Sequence, residues 1–430
     1  MRKHRFLCFG FSLLFFTSVF GKTYKSRHVI IESDLDPLYV QYIQANAGAF
    51  YATMKNQYFR KGEKTPLTIY YSKTQSDTFK LLRQKGHKNR AHKSYYVSKE
   101  AAIYTHRFTK QGGTVRIGTL FHEITHHFVR ANFKDPPTWF NEGLACFFGD
   151  ETRIVKGKLM VGEPSPRRQR ELKERIEKGA RLDLKRLFGM TQKELYNWPV
   201  GYELSWVLLY WLYENGKLGE YLQNVQKNGF EIWVLEQTLN KPVNEINREL
   251  LAYIKKDCYA GAYLRDGQRA RDNTEKKKAF LKALELKPNY RKAQFELALC
   301  YYRDKDYEKC KEYLQKILQN PNSIECRDAA EQMGHCYYKE KDYTQALEYY
   351  RKALEYSDYY EYGYELYYWI ANCHHYLKDH STAKELYKMF LDNNWEPEKH
   401  EKRVTYAKEY QTRNEGDSGE KKASSKQKEE

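Results

Sequence analysis

The C-terminal half of this 430-residue chain contains an internal repeat, a feature that constrains the fold strongly because each unit must pack on its neighbours. Small residues recur at intervals of 36 and 37 residues, at Cys310, Ala346 and Ala383. Large apolar or aromatic residues follow four positions later in each unit, at Leu314, Tyr350 and Tyr387. This spacing predicts stacked pairs of helices.

The repeat resembles the tetratricopeptide repeat, whose period is about 34 residues. Three units match well, and Ala279–Pro288 resembles the end of an earlier one. The resemblance implies an all-α solenoid over residues 258–412 that binds a protein partner along its concave face. Cys300, Cys336 and Cys373 precede a shared aromatic or histidine position, so we interpret them as packing residues rather than redox groups.

The N-terminal half contains the sequence His122-Glu123-Ile124-Thr125-His126, which has the H-E-x-x-H spacing. On a helix, positions i and i+4 lie on one face, so both imidazoles can bind one metal ion with Glu123 beside them. Pro136 and Pro137 end this helix and begin a second one, which would return Glu142 to the first. Two histidines and a glutamate are a ligand set of catalytic zinc sites.

The stretch Trp139–Ala145 resembles the W-x-N-E-G-x-A segment of the gluzincin metallopeptidases, which include the thermolysin-like zinc aminopeptidases and the peptidase MA-like families. The resemblance covers roughly residues 24 to 215. It implies zinc bound by His122, His126 and Glu142, with Glu123 as general base in peptide hydrolysis. It also implies that Tyr202, just before a long apolar helix, donates a hydrogen bond to the oxyanion.

The chain departs from the gluzincin pattern in three ways. The interval from His126 to Glu142 is shorter than in thermolysin or the large aminopeptidases, so the connecting loop must be tight. Cys146 stands where many members carry an acid that orients a zinc-bound histidine, which leaves Asp150, Glu151 or a backbone carbonyl as acceptors. A G-x-M-E-N-like segment is missing, and residues 112–117 read as an edge strand for an extended peptide. This favours an endopeptidase, or an unknown specificity, over an aminopeptidase.

Two neighbours of the site have structural interpretations. We expect Asn141 to fix the turn geometry and His127 to be structural or solvated, because His127 lies off the ligand face.

The remaining elements predict a mixed sheet with helices, followed by helices only, over residues 22–257. The gluzincin resemblance implies that this α+β domain is thermolysin-like. Strands are expected at residues 28–32, 67–71, 95–104 and 114–117, and helices at about 36–58 and 74–85. Residues 151–198 read as a basic, partly helical insertion, and residues 199–256 as helical.

The two ends of the chain differ from its middle in composition. Residues 1–21 have the basic and apolar regions of a signal peptide, which predicts an exported protein, periplasmic or secreted; an uncleaved anchor is the alternative. Residues 413–430 are polar and low in complexity, and we expect them to be disordered. The seven cysteines after residue 21 are an odd number and lack a C-x-x-C spacing. This argues against a simple disulfide framework or a cysteine zinc site.

The net charge is +18, and nine basic residues cluster within residues 167–186. Glutamates interleave with these basic residues, which favours a solvated helix with i,i+4 ion pairs over a nucleic-acid site. An anionic envelope surface remains a possible contact.

Taken together, the sequence predicts an exported zinc-dependent peptidase fused to a repeat domain that recruits a peptide or protein substrate. The alternative is a catalytically degenerate protein-binding scaffold of the cell envelope. A third reading is an envelope protein in which zinc only stabilises the fold.

Overall fold

A computed structural model describes residues 22–59, 66–87, 94–106, 117–149, 152–155, 158–161, 164–320, 325–357, 363–394, 398 and 400–412. Several expectations lie outside these residues: the signal peptide, most of the edge strand at 112–117, the acceptors Asp150 and Glu151, and the tail 413–430.

The N-terminal region is a mixed α/β unit built on a five-stranded sheet. Its elements in chain order are β1 (Thr23–Lys25), β2 (Val29–Glu32), α1 (Pro37–Thr53), β3 (Leu67–Ser72), α2 (Gln75–Gln84), β4 (Tyr95–Val97) and β5 (Ala102–His106). The strand order is β1-β2-β3-β5-β4, with β2, β3 and β5 parallel and both outer strands antiparallel to their neighbours.

The expected strand over residues 95–104 is instead a hairpin of β4 and β5. A 3₁₀ turn at Ser98–Glu100 separates the two strands, and Ala101 follows it with a φ of 47°. The chain therefore reverses direction, and β4 becomes an edge strand of the described sheet.

The next helices and a small hairpin complete the unit. They are α3 (Gly118–Asn132), α4 (Thr138–Gly149), β6 (Arg153–Val155), β7 (Lys158–Met160), α5 (Pro166–Glu177), α6 (Leu184–Phe188), α7 (Gln192–Asn197), α8 (Gly201–Glu214), α9 (Leu218–Asn228), α10 (Ile232–Leu239) and α11 (Val243–Tyr253). One continuous apolar core joins α1, α3, α4 and α8, and it includes the stacked rings of Phe50 and Phe121 with centroids 4.1 Å apart.

The basic helix α5 has two different faces. The solvated face carries the expected i,i+4 ion pairs, such as Arg167–Glu171 at 2.7 Å and Lys173–Glu177 at 3.0 Å. The other face packs against the first helix of the repeat region, where Gln169 is buried beside Gly261. The insertion is thus a joint between the two halves of the molecule, a contact that charge spacing alone does not indicate.

The C-terminal region is all-helical. Its described residues form four helix pairs and one more helix, in order: α12 (Tyr259–Arg269), α13 (Asn273–Leu286), α14 (Arg291–Arg303), α15 (Tyr307–Leu318), α16 (Cys326–Lys339), α17 (Tyr343–Tyr356), α18 (Gly363–Tyr376), α19 (His380–Asn393) and α20 (Glu401–Thr412). The partial unit seen in the sequence is therefore a full pair, α12 and α13.

A recurring aspartate starts the second helix of each pair. Its carboxylate accepts the backbone N–H three residues later, which satisfies one of the free donors at a helix start. These N-cap residues are Asp272, Asp306, Asp342 and Asp379.

The described residues contain no helix with the length and apolar character needed to cross a bilayer.

Candidate metal centre

Two histidines of α3 face each other at the centre of the site. The Nε2 atoms of His122 and His126 are 3.1 Å apart, and their rings are perpendicular with centroids separated by 4.7 Å. One helical turn separates the two residues, so the helix itself sets this arrangement.

Glu142 approaches the same point from α4. The chain leaves α3 through extended Phe133, turns at Asp135 with a φ of 45°, and re-enters a helix after Pro136 and Pro137. The carboxylate then lies 3.9 Å from the Nε2 of His122 and 3.8 Å from that of His126. The short connection between His126 and Glu142 is thus long enough to bring all three side chains together.

The donor set fits a zinc ion. One donor atom from each of the three residues lies within 4.8 Å of the others. Tetrahedral donors about 2.0–2.1 Å from zinc would be about 3.3 Å apart, so modest side-chain adjustments bring these atoms to bonding distance.

Each histidine has an acceptor for its other ring nitrogen. His126 donates from Nδ1 to the Oδ1 of Asn141 at 3.0 Å, and His122 is hydrogen-bonded to the backbone of Ala145. These contacts direct both Nε2 atoms toward Glu142. Asn141 therefore orients the ring of His126 as well as lying next to the turn. The backbone of Ala145 is the hydrogen-bond acceptor for His122, a role that Cys146 fills poorly.

Burial favours the neutral form of His122. Desolvation lowers its pKa well below the ordinary value, and the nearby charges of His126 and Arg168 act in the same direction. The neutral imidazole is the form that binds metal.

Glu123 lies on a neighbouring face of α3 and is 7 % exposed. Burial raises the pKa of its carboxyl group to about 7. The backbone of Tyr96 and the hydroxyl of Ser94 are hydrogen-bonded to it and act in the opposite direction. Strand β4 and the residue before it therefore hold this carboxylate. Sequence reasoning missed this contact because no motif links residues 94–96 to α3.

His127 is directed away from this group. It is buried, its Nδ1 lies 3.1 Å from the hydroxyl of Tyr96, and desolvation lowers its pKa to about 4. Its position is that of a packed structural residue.

Tyr202 lies in the first turn of α8. Its hydroxyl lies 3.0 Å from the Sγ of Cys146, and burial, followed by the effect of Cys146, raises its pKa. The guanidinium of Arg168 lies over its ring at 5.3 Å, and Tyr196 stacks on it with centroids 6.4 Å apart. The sequence had assigned no site role to Arg168 or Tyr196.

Comparison with known proteins gives matches to the repeats. One family model, described as anaphase-promoting complex, cyclosome, subunit 3, matches residues 273–353, and a tetratricopeptide repeat model matches residues 365–394. The C-terminal half of the chain thus carries tetratricopeptide repeats, which indicate protein–protein interaction and a protein partner.

The other comparisons add little. No curated protein matches the chain. The crystal structure of MamA protein matches at 17 % identity with a TM-score of 0.28, covering 35 % of this chain and 87 % of that one. Both family models begin after residue 272, so the metal-site region is described by its own geometry alone.

Proposed function

We propose that this protein is a zinc-dependent peptidase of the gluzincin type whose repeats recruit a protein substrate. The observation that carries the proposal is the convergence of His122, His126 and Glu142 within 4.8 Å, with the buried carboxyl group of Glu123 beside them. Export to the periplasm or the medium, predicted from residues 1–21, belongs to the same proposal.

The proposed reaction assigns a separate task to each group. A zinc ion held by His122, His126 and Glu142 would polarise a substrate carbonyl and lower the pKa of a water molecule toward about 7. Glu123 accepts the proton of the attacking water and returns it to the leaving amine. The hydroxyl of Tyr202 donates a hydrogen bond to the oxyanion. Its present partner, the sulfur of Cys146, is a weak hydrogen-bond acceptor that an oxyanion can replace.

A peptide substrate suits the surroundings of Glu123. Strand β4 lies at an edge of the described sheet, and its Tyr96, together with Ser94 just before the strand, contacts Glu123. An extended peptide that pairs with such an edge by main-chain hydrogen bonds would pass next to the general base. The edge strand expected at residues 112–117 lies mostly outside the described residues and stays a prediction.

Replacing the general base separates metal binding from catalysis. Glu123→Gln should retain about one zinc per chain yet lose about 10²–10⁴-fold in the cleavage rate of a casein-type protein substrate, because the amide cannot accept the proton. His126→Gln should lose the zinc as well. Elemental analysis of the purified protein and a protease assay measure the two effects.

A matched control is Glu220→Gln, which changes an exposed carboxylate on α9 and should leave both readouts unchanged. A wild-type protein that binds no zinc and cleaves nothing in a broad peptide panel would reject the peptidase in favour of the protein-binding scaffold.

A further inference from the structure

Two buried thiols meet between neighbouring helix pairs of the repeat region. Cys310 lies on α15 and Cys336 on α16, and both side chains are fully buried. The thiol of Cys336 donates to the Sγ of Cys310 across 3.3 Å. This separation is shorter than an ordinary contact between two sulfur atoms.

The repeat explains why these two positions face each other. Cys310 is the fourth residue after the N-cap Asp306, a position that Ala346 and Ala383 occupy in the later pairs. Cys336 corresponds to Cys373 in the next first helix, and Ala346 and Cys373 belong to the same apolar core. The next interface therefore has a cysteine on one side and an alanine on the other.

This difference between interfaces modifies the interpretation of the cysteines as packing residues. At the position of Cys310 a small side chain is sufficient for packing, since Ala346 and Ala383 are as buried as Cys310. Packing therefore explains a small residue at position 310 but does not require a thiol opposite Cys336.

We infer that Cys310 and Cys336 are a disulfide-forming pair that links the second and third helix pairs of the solenoid when the chain folds in the presence of a disulfide oxidant. One cysteine, as thiolate, attacks the oxidant disulfide, forms a mixed disulfide and releases one thiol. The second thiolate attacks the protein sulfur of the mixed disulfide, which closes the Cys310–Cys336 bond and releases the second thiol. Each cysteine loses one proton, and the oxidant disulfide is reduced to two thiols.

Burial determines when this reaction can occur. The hydrogen bond to Cys310, and then desolvation, raise the pKa of the Cys336 thiol, so the folded reduced pair is a poor nucleophile. Exchange therefore takes place while α15 and α16 are still open to solvent, and the finished bond is then protected from reduction. The link is independent of the metal site and of any peptidase activity.

The test uses the full-length chain, refolded from the reduced unfolded state either in a mixture of oxidised and reduced glutathione or in excess reductant. Free thiols are then alkylated, and the protein is digested and mapped by mass spectrometry without reduction. The expected result is a peptide pair joined through Cys310 and Cys336 in the oxidised sample only.

Thermal unfolding gives a second readout. The two cysteines are 26 residues apart, and closing a loop of that size should raise the melting temperature of the oxidised protein by about 5–10 °C over that of the reduced protein. Cys310→Ala, which reproduces the residue of the later units, should abolish this difference. Cys373→Ala is the matched control, since it changes the equivalent of Cys336 at the other interface and should preserve it.

Full alkylation of both thiols in the oxidised wild type would overturn the inference, and so would an undiminished oxidation shift in Cys310→Ala. The peptide map needs no substitution, so it decides the question even where a variant folds poorly.

Discussion

At the residue scale, neighbouring groups hold the side chains that we propose to be reactive. Asn141 and the backbone of Ala145 fix the two imidazole rings, and Glu123 is held by Tyr96 of β4 and by Ser94 just before that strand. The hydroxyl of Ser94 also lies 3.3 Å from the carbonyl oxygen of Tyr104. It has one proton to donate, and an ionised Glu123 is the stronger acceptor.

Removal of this hydroxyl tests whether the segment at the start of β4 positions Glu123, the proposed general base. Ser94→Ala should lower kcat by about tenfold, because a hydrogen bond to a charged group contributes roughly 1.5–3 kcal/mol. Zinc content and KM should remain unchanged, since Ser94 contacts no metal donor. Kinetics on a short peptide, together with elemental analysis, measure these quantities.

Ser98→Ala is the matched control, because Ser98 is exposed in the turn after β4. If both variants lose kcat equally, or if Ser94→Ala loses zinc, the contact is structural rather than positioning.

At the element scale, the position of Glu142 depends on how closely α4 packs against its neighbours. A Cβ atom at Gly143 would lie 2.8 Å from the backbone oxygen of Ser205 in α8. A Cβ at Gly118 would lie 2.1 Å from the backbone oxygen of Gly149, so α3 and α4 are also in close contact. The glycines thus allow the backbones of α3, α4 and α8 to approach closely. Glu142 directly precedes Gly143, so its position depends on this packing.

Gly143→Ala should therefore move α4 and reduce zinc binding. The obstacle is mainly backbone and cannot rotate away, so we expect a loss of about 1–3 kcal/mol in the free energy of unfolding. Chemical denaturation of the protein with bound zinc and without it, together with a zinc titration, measures the change.

Gly48→Ala provides the comparison, because Gly48 lies within α1 with no atom near its added Cβ. That variant should be neutral or gain up to about 1 kcal/mol. Equal zinc affinity in wild type and Gly143→Ala would show that the α4–α8 contact does not set the position of Glu142.

At the scale of the whole molecule, charged side chains connect the metal-site region to the solenoid. Arg153 of β6 lies 3.6 Å from Asp328 of α16, and Arg327 pairs with both Asp328 and Glu331. Helix α5 makes a second connection through the 2.7 Å ion pair of Arg170 with Asp266. These contacts restrict how the repeats can present a partner to the site.

His335, one turn after Glu331, makes the stability of this network depend on pH. Its Nδ1 lies 2.7 Å from the hydroxyl of Tyr350, and burial lowers its pKa to about 3. Below pH 6.5 the unfolded chain binds a proton at His335 that the folded protein does not, so stability falls as the pH decreases from 6.5 toward 3. The other charged groups that act on it are Arg327, Lys339, Glu365 and Arg403.

We expect His335 to contribute a loss of about 1–2 kcal/mol in the free energy of unfolding between pH 6.5 and pH 5. Glu331 has the opposite effect, because burial raises its pKa and its protonation favours the folded state. His335→Gln should therefore remove the loss of stability due to His335 at low pH and keep the gain due to Glu331. Urea unfolding across this pH range measures both proteins, and parallel pH profiles would contradict the assignment.

Sequence reasoning was most effective where the signal is local. The i,i+4 spacing of His122 and His126, the prolines before Glu142 and the period of the repeats each reflect one helix or one helical hairpin. It was less effective where several segments meet. The hairpin of β4 and β5 was read as one strand, because both parts are β-branched and aromatic and the reversal depends on a left-handed Ala101.

The sequence by itself determined which residues could bind a metal ion and that the second half would be a stack of helix pairs, since both follow from helical periodicity. Only the tertiary structure decided that β4 holds Glu123, that Ala145 serves His122, and that Cys310 meets Cys336. Those contacts depend on how separate elements pack, and packing of distant segments is not encoded in the spacing of any one of them.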